Sequence, residues 1–435
     1  MAIVYLIPAL YDTALGIVSF ALPLFLLESR VDPVTMGSLL ALPSLVQIFA
    51  RVPAGLLSGR VGNINGMLLG CLLMLASGAL IAGAPVGILV ACVAGAQVLS
   101  GLARASFWPA NQAFVLDMAR ERAAAIIGFY NFVVTLGGMP GPLLAGWLMI
   151  RGGYRWPFGL MAFLPGVSAA LLLTRRWATP PAEPVPGEPA QVWRAPAEPT
   201  PAEPAPAKPA PGGPAPGGAA PPAETVWSRI RVVVRSPGVW LASLTCLISV
   251  IPFSVTASFL PVLLKTRGLS AASISLQVTV RSASVALFSL LSGPFVRVPY
   301  RAALLGVSAL LGTAALFMIP VVAGGRLTVM PMLLFGLCGG AMHNVQMAAA
   351  GEAVSRQHRA LAMAFVGSIG GVGMTLIPVV HGWMASLGWL EEAFPATGLV
   401  MGLIGVVAWR WCAALQKGLQ APGQAPAARS QQAAG

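Results

Sequence analysis

Residues 3–27 read IVYLIPALYDTALGIVSFALPLFLL, an apolar run whose only charged side chain is Asp12. A helix needs about 20 predominantly apolar residues to cross the hydrocarbon core of a bilayer, so this run is long enough to span it. No basic segment precedes the run, and we therefore expect a retained span rather than a cleaved signal peptide.

Eleven further apolar runs follow the first one. We predict them at about 36–58, 65–83, 86–108, 123–149, 157–174, 238–264, 272–295, 302–323, 328–348, 361–385 and 394–415. The chain is 57% hydrophobic and 9% charged, whereas soluble domains carry about 25% charged residues. A water-soluble fold of this length has no interior that could bury so much apolar surface. The sequence therefore predicts an all-α membrane protein with twelve transmembrane helices.

A Pro- and Ala-rich stretch, which includes PAEPTPAEPAPAKPAPGGPAPGG, separates the two sets of six runs. Such a composition favours extended, solvated chain over a packed core. The segment WSRIRVVVR that follows it is basic and amphipathic, and we expect it to lie along the membrane surface. The predicted organisation is a six-helix bundle over 1–175, a disordered cytoplasmic linker over 176–226, a second six-helix bundle over 227–417 and a disordered cytoplasmic tail over 418–435.

The positions of the basic residues predict the orientation. The net charge of +13 does not indicate nucleic acid, because the Lys and Arg residues flank the apolar runs instead of forming one patch. With the N-terminus and the linker in the cytoplasm, seventeen of the 26 Lys and Arg residues are cytoplasmic, six lie on the opposite side and three lie within spans. This bias follows the positive-inside rule, so we expect both termini in the cytoplasm.

The two halves of the chain are related by an internal repeat. Residues 101–158 match the second half at an offset of 235, which becomes 236 after one insertion. The matches include Gly101 with Gly336, Asp117 with Glu352, Pro142 with Pro378, Gly146-Trp147 with Gly382-Trp383, and Phe158 with Phe394. Two pseudo-symmetric bundles that rock about a central site are typical of secondary transporters.

The first of two motifs lies between the second and third spans, in GLLSGRVGN, which begins at Gly55. It resembles the G-x3-D-R-x-G-R pattern of the major facilitator superfamily at Gly55, Arg60 and Gly62. Gly59 replaces the acidic residue and Asn63 replaces a basic one. In that family this loop makes charged contacts that hold one gate state, so the resemblance implies a gating role. A tight turn at the glycines explains the same residues without gating.

The second motif lies on the fifth span and comprises Gly128, Gly137, Gly141-Pro142 and Ala145-Gly146. It resembles the antiporter signature G-x8-G-x3-G-P-x2-G-G of the same family, with one Ala in place of Gly. This resemblance, which extends over nearly the whole chain except the linker and the tail, implies the fold and favours the drug/proton antiporter type. Close packing of small residues against neighbouring helices is the alternative account.

Ionisable groups inside a span are costly, and they mark a transport pathway or an ion pair. Asp12 is the only carboxylate well inside a span. It is a candidate proton carrier, because protonation removes a buried charge. It can equally form a structural ion pair with Arg104 or Arg281. Arg51 lies near a span end, where its side chain can extend to the interface, and we give it a structural role.

Six polar residues are candidates for the substrate cavity: Arg104, Arg281, Gln97, Asn131, His343 and Gln277. Gln97 stands where the family carries an Arg in R-x-x-Q-G, and Arg104 follows two helical turns later on a similar face. Arg281 can anchor an anionic group or pair with Asp12, while His343 can line the cavity or bond between helices. Asp117 and Arg122 lie in DMARER, which resembles the charged loop after the family's fourth span or is simply a solvated turn.

The sequence thus predicts a secondary transporter of the bacterial inner membrane that exports a small organic solute by alternating access, driven by protons. The alternatives are an uptake symporter or facilitator for an anionic small molecule, and a transport-inactive receptor or scaffold. The sequence contains no GxxxxGK[ST] motif, which argues against transport driven by ATP hydrolysis. It also lacks a cluster of His, Asp and Glu residues in or beside the spans, which argues against an enzyme. We expect the solute, protons and the lipid bilayer as partners, without cofactor, metal or nucleic acid, and a monomer is compatible with the sequence.

Overall fold

The computed structural model describes residues 2–119, 133–178, 226–296, 298–354 and 358–420, and the regular structure in these ranges is helical. The helices are α1 (Ala2–Glu28), α2 (Pro33–Val61), α3 (Asn63–Ala82), α4 (Leu89–Ala119), α5 (Pro140–Gly152), α6 (Arg155–Ala178), α7 (Val226–Arg235), α8 (Pro237–Thr256), α9 (Phe259–Thr266), α10 (Ala271–Ser292), α11 (Val298–Val322), α12 (Val329–Glu352), α13 (Arg359–Ser386) and α14 (Leu390–Gln420). Residues 133–138 are also helical and lead into α5.

Eleven helical stretches in the described ranges are long and apolar enough to cross a membrane, with α8 and α9 together forming one of them. Helix α12 is not among the eleven, although its 24 residues are sufficient in length. It carries His343, Asn344 and Gln346, which lower its mean hydropathy. With α12 as the tenth span, the prediction of an all-α protein with twelve transmembrane helices is confirmed.

Two details of the helix boundaries follow from single residues. Gly62 alone separates α2 from α3, with a φ of 89° that L side chains rarely adopt. The predicted turn is therefore at Gly62, whereas Gly59 still belongs to α2. The short helix α7 coincides with the predicted basic amphipathic segment, and the linker residues 179–225 and the tail residues 421–435 lie outside the described ranges.

The seventh span contains a break that its hydropathy does not reveal. Helix α8 ends at Thr256, and α9 begins at Phe259. Pro261 in the first turn of α9 has no N–H to bond back across the break. The hydroxyls of Thr256 and Ser258 instead donate to the carbonyls of Pro252 and Ser254, at 2.5 and 2.6 Å. Discontinuous spans of this kind place irregular backbone beside a cavity.

The repeat in the sequence corresponds to equivalent packing in the two bundles. At Gly101, α4 packs so tightly on α2 that an added Cβ would lie 2.7 Å from the carbonyl of Pro43. Its repeat partner Gly336 brings α12 even closer to Ser284 of α10. Phe158 and Phe394, another repeat pair, are both fully buried. The same side-chain sizes are therefore required at the same helix contacts in both halves.

The two faces of the bundle are distinguished by the chain ends they carry. The linker face is the one at which α6 ends and α7 begins, and the far face is the one at which α1 ends and α2 begins. A far-face seam joins the two bundles and consists of Gly37 with Gly382, Gly146 with Ser275, and the ion pair of Glu28 with Lys265 at 3.3 Å.

Close backbone contact in the far-face seam depends on the missing side chains. An added Cβ on Gly382 would collide with the carbonyl of Pro33, and one on Gly146 would lie 2.6 Å from the Ser275 hydroxyl. Gly146 and Gly382 are repeat partners, so the seam is closed in the same way by α5 on α10 and by α13 on α2. The two bundles are therefore in close backbone contact at the far face.

We expect a bulky side chain in this seam to hold the far face open. Gly382→Leu should increase, several-fold, the alkylation of a cysteine placed at the cavity residue Ser19, with an impermeant reagent applied to intact cells. Under the predicted orientation only the far face is reachable there. Gly159→Leu is the matched control, because an added Cβ at Gly159 meets no atom within 4 Å. Unchanged labelling in correctly inserted Gly382→Leu protein would contradict the role of the seam.

Candidate binding cavity

A cavity of about 400 Å³ lies between the two bundles, beneath the far-face seam. Its charged and polar lining comes from both halves of the chain: Asp12, Gln97 and Arg104 from the first, and Arg281 and His343 from the second. The His343 side chain is exposed to solvent, although it belongs to a membrane-length helix. We expect solvent to reach this residue from the linker face, because the bundles are in close contact at the far face.

Asp12 is positioned by the packing of α1 against the glycines that precede and begin α5. An added Cβ on Gly138 would lie 2.5 Å from Oδ2 of Asp12, and one on Gly137 would lie 2.5 Å from the Cα of Ala9. Thr13 follows Asp12 on α1, and its hydroxyl donates to the carbonyl of Gly137 at 2.5 Å. Gly137 of the second sequence motif and the adjacent Gly138, which is not part of the motif, thus allow the chain leading into α5 to contact α1 directly beside the carboxylate.

Arg104 lies on α4, half-buried, at the wall of the cavity. Its guanidinium is within electrostatic range of the Asp12 carboxylate. The two side chains do not form an ion pair within 4.0 Å, the distance that defines one among the described residues. Nε of Arg104 has no hydrogen-bond partner. The predicted structural pair is therefore a long-range attraction rather than a contact in this state.

Arg281 lies on α10 and is 8% exposed. Its guanidinium carbon lies 5.3 Å from the ring centroid of Phe253, in a cation–π arrangement. Its Nε has no hydrogen-bond partner, and among the described residues no carboxylate lies within 4.0 Å of its nitrogen atoms. Arg281 is therefore a buried cation at the cavity wall that Asp12 does not neutralise by contact.

The remaining candidates divide between the cavity and helix packing. Gln97 lines the cavity, and its Nε2 donates to the carbonyl of Leu39 on α2 at 3.1 Å. Gln277 is buried on α10 outside the cavity lining. Beside His343, Asn344 donates to the carbonyl of Ser289 at 2.6 Å and joins α12 to α10. Arg51 lies against Gly367 of α13, outside the cavity lining, where its contact is structural.

Serine hydroxyls form a large part of the cavity wall, and the sequence reasoning did not find them. They belong to Ser19, Ser44, Ser249, Ser254, Ser258, Ser282 and Ser289. Serine is common on membrane helices for packing reasons, so only the structure shows which serines face the cavity. The aromatic residues Tyr11, Phe107 and Trp108 instead contact one another inside the first bundle. Tyr11 and Phe107 stack with 3.8 Å between their centroids, and Trp108 is edge-on to both.

Several motif residues lie outside the part of the chain that the structure describes. Asn131, Arg122 and Gly128 are in the undescribed segment, and the surroundings of Gly55 and the side chains of Arg60 and Asp117 are likewise not described. The repeat partner of Asp117 is described. Glu352 at the end of α12 accepts two hydrogen bonds from Arg301 of α11, at 2.9 and 2.8 Å, on the linker face.

Comparison with known proteins identifies one family. The family model described as Major Facilitator Superfamily matches residues 4–342 and 242–433, two overlapping ranges that together cover nearly the whole chain. A search among curated proteins finds no match. The repeated match agrees with the two equivalent bundles.

The solvent exposure of the cavity can be measured on α12 alone. In protein whose five cysteines have been replaced, we expect His343→Cys to react rapidly with a water-soluble maleimide in detergent. Val345→Cys, which is on the same helix and fully buried, should react at least tenfold more slowly. Equal rates at both positions would show that α12 does not present His343 to an aqueous cavity.

Proposed function

The chain belongs to the Major Facilitator Superfamily and is a multi-pass membrane transporter, and from this premise we propose that it moves a small organic solute by alternating access with protons as the driving ion. The observation that carries the proposal is the cavity between the bundles, which both halves line and which lies beneath the far-face seam. Rocking of the bundles about this cavity would open the seam and close the linker face.

We place the linker face in the cytoplasm of a bacterial cell, with both termini on the same side. The bias of the basic residues supports this orientation. In this orientation the conformation is the inward-facing one, a proposal that the close contacts between the bundles at the far face support. A solute would enter or leave the cavity from the cytoplasm in this state.

Asp12 is the proton carrier in this proposal. It is the one carboxylate that lines the cavity among the described residues, and it lies within a span where a net charge is unfavourable. Its attraction to Arg104 is long-range, so protonation does not have to break a short ion pair. Protonation would weaken that attraction and free the Arg104 guanidinium, and this change at the cavity wall can bias the two bundles towards one state.

Two observations favour different directions of transport. The glycine signature that α5 presents to α1 resembles that of antiporters, which supports proton-coupled export. The unneutralised Arg281 in the cavity supports the second candidate, a proton-coupled uptake symporter for an anionic solute. A transport-inactive receptor or scaffold is the third possibility, and absence of flux for every compound in a broad panel with reconstituted protein would favour it.

Replacing the proton carrier should uncouple transport. Asp12→Asn should abolish proton-driven solute accumulation in proteoliposomes with an imposed pH gradient, while solute exchange without a gradient persists, because the amide cannot take up a proton. Asp32→Asn is the matched control. The hydroxyl and backbone N–H of Thr35 hold the pKa of Asp32 below its ordinary value, so this exposed carboxylate stays ionised, and Asn can cap α2 equally well. Unimpaired gradient-driven accumulation in Asp12→Asn would remove Asp12 from the mechanism.

A further inference from the structure

We infer that the cavity binds a small organic anion whose negative group is held by Arg281. This inference rests on the proposed transport function and gives its substrate class. The first argument is the balance of charge. Apart from His343, the ionisable side chains that line the cavity are one acid, Asp12, and two cations, Arg104 and Arg281. Asp12 attracts Arg104, and no described carboxylate is left for Arg281.

The uncompensated positive charge is energetically costly because Arg281 is buried. A cation that is 8% exposed and lacks a counter-charge costs folding free energy, and such groups within spans are retained where they bind something. The Nε of Arg281 lacks a hydrogen-bond partner although it is inaccessible to solvent. The Phe253 ring packs on the guanidinium in the cation–π contact described above. A guanidinium held in this way offers a forked pair of donors, which matches a carboxylate or a phosphate.

The rest of the wall defines the body of the ligand. The volume of about 400 Å³ lies at the small end of the roughly 300–1,000 Å³ range of small-molecule sites. Val250, Val278 and Val285 supply apolar surface around Arg281, and Ser254 and Ser282 supply hydroxyls. The ligand class is therefore a compact molecule with one anionic group, whose body contacts both apolar side chains and serine hydroxyls.

The sign of the proton coupling follows from the same charges. Protonation of Asp12 removes the negative charge from the cavity, and this raises its affinity for an anion. By linkage, a bound anion raises the affinity of Asp12 for a proton to the same degree. Two ligands that favour each other's binding travel together, so an anionic solute is moved by symport. A cationic solute would compete with the proton and would be moved by antiport.

Binding to purified protein in detergent tests the anion site directly. The probes are benzoate, octanoate and phenyl phosphate, with benzamide and octanamide as neutral controls. We expect at least one anion to bind, and Arg281→Gln to weaken it tenfold or more, with partial retention in Arg281→Lys. Arg267→Gln, which alters an exposed arginine paired with Glu391 on the far face, should leave the affinity unchanged. Binding of the amides as tightly as the acids, or of none of the anions, would overturn the inference.

The pH dependence of anion binding tests whether protonation of Asp12 favours the bound anion. Benzoate affinity should fall as the pH rises in the parent protein, and Asp12→Asn should bind it with high affinity at all pH values. An affinity that is insensitive to Asp12→Asn would contradict the proposed proton carrier, while the effect of Arg281→Gln would still support the anion site. The two proposals therefore fail separately.

The melting temperature of the ligand-free protein tests the alternative that Arg281 has a purely structural role. If Arg281 is present for binding, the empty protein does not lose thermal stability when it becomes Gln, because an uncompensated cation is removed. A Tm that stays equal or rises in anion-free buffer supports the inference. A fall in Tm of several degrees would show that Arg281 holds the fold together and would contradict it.

Discussion

Hydrocarbon surrounds the two bundles, and this constraint decides where the charged side chains of the spans can lie. A carboxylate or guanidinium that faced lipid would lose its hydration without compensation. Asp12, Arg104 and Arg281 come from three different helices, yet all three line the same cavity. The cavity exists because the bundles meet closely at the far face and diverge below it. The far-face seam, the solvation of His343 and the grouping of the charges are consequences of one arrangement.

The sequence predicted the features that depend only on the order of residues along the chain. Twelve apolar runs, the repeat and the rare charged residues within spans can all be read from the order of residues, because lipid imposes the same requirement on every helix. The sequence does not show which side chains on a helix face the cavity. Gln97 and Gln277 look alike in the sequence, but only Gln97 lines the cavity. The break after Thr256 was missed because its serine, threonine and proline residues do not lower hydropathy enough.

The two bundles share their packing but differ in their charges. Repeat partners such as Gly146 and Gly382 make equivalent contacts across the far face. The cavity carboxylate, in contrast, lies in the first bundle, and the unneutralised cation lies in the second. If the two bundles move as rigid bodies, each bundle can carry the binding residues for a different ligand. On this account the first bundle responds to protons and the second recognises the solute, and the antiporter-like glycines serve to seat α5 beside Asp12.

Alternating access is the central claim, and distances between the bundles on the two faces test it most directly. Spin labels at Val34 of α2 and Leu387 after α13 report the far face, and labels at Val61 of α2 and Met347 of α12 report the linker face. All four positions are exposed. Pulsed electron paramagnetic resonance should show the far-face distance lengthening and the linker-face distance shortening together when the pH is changed to alter the protonation of Asp12. Distances that stay fixed on both faces, or that lengthen on both, would contradict the account.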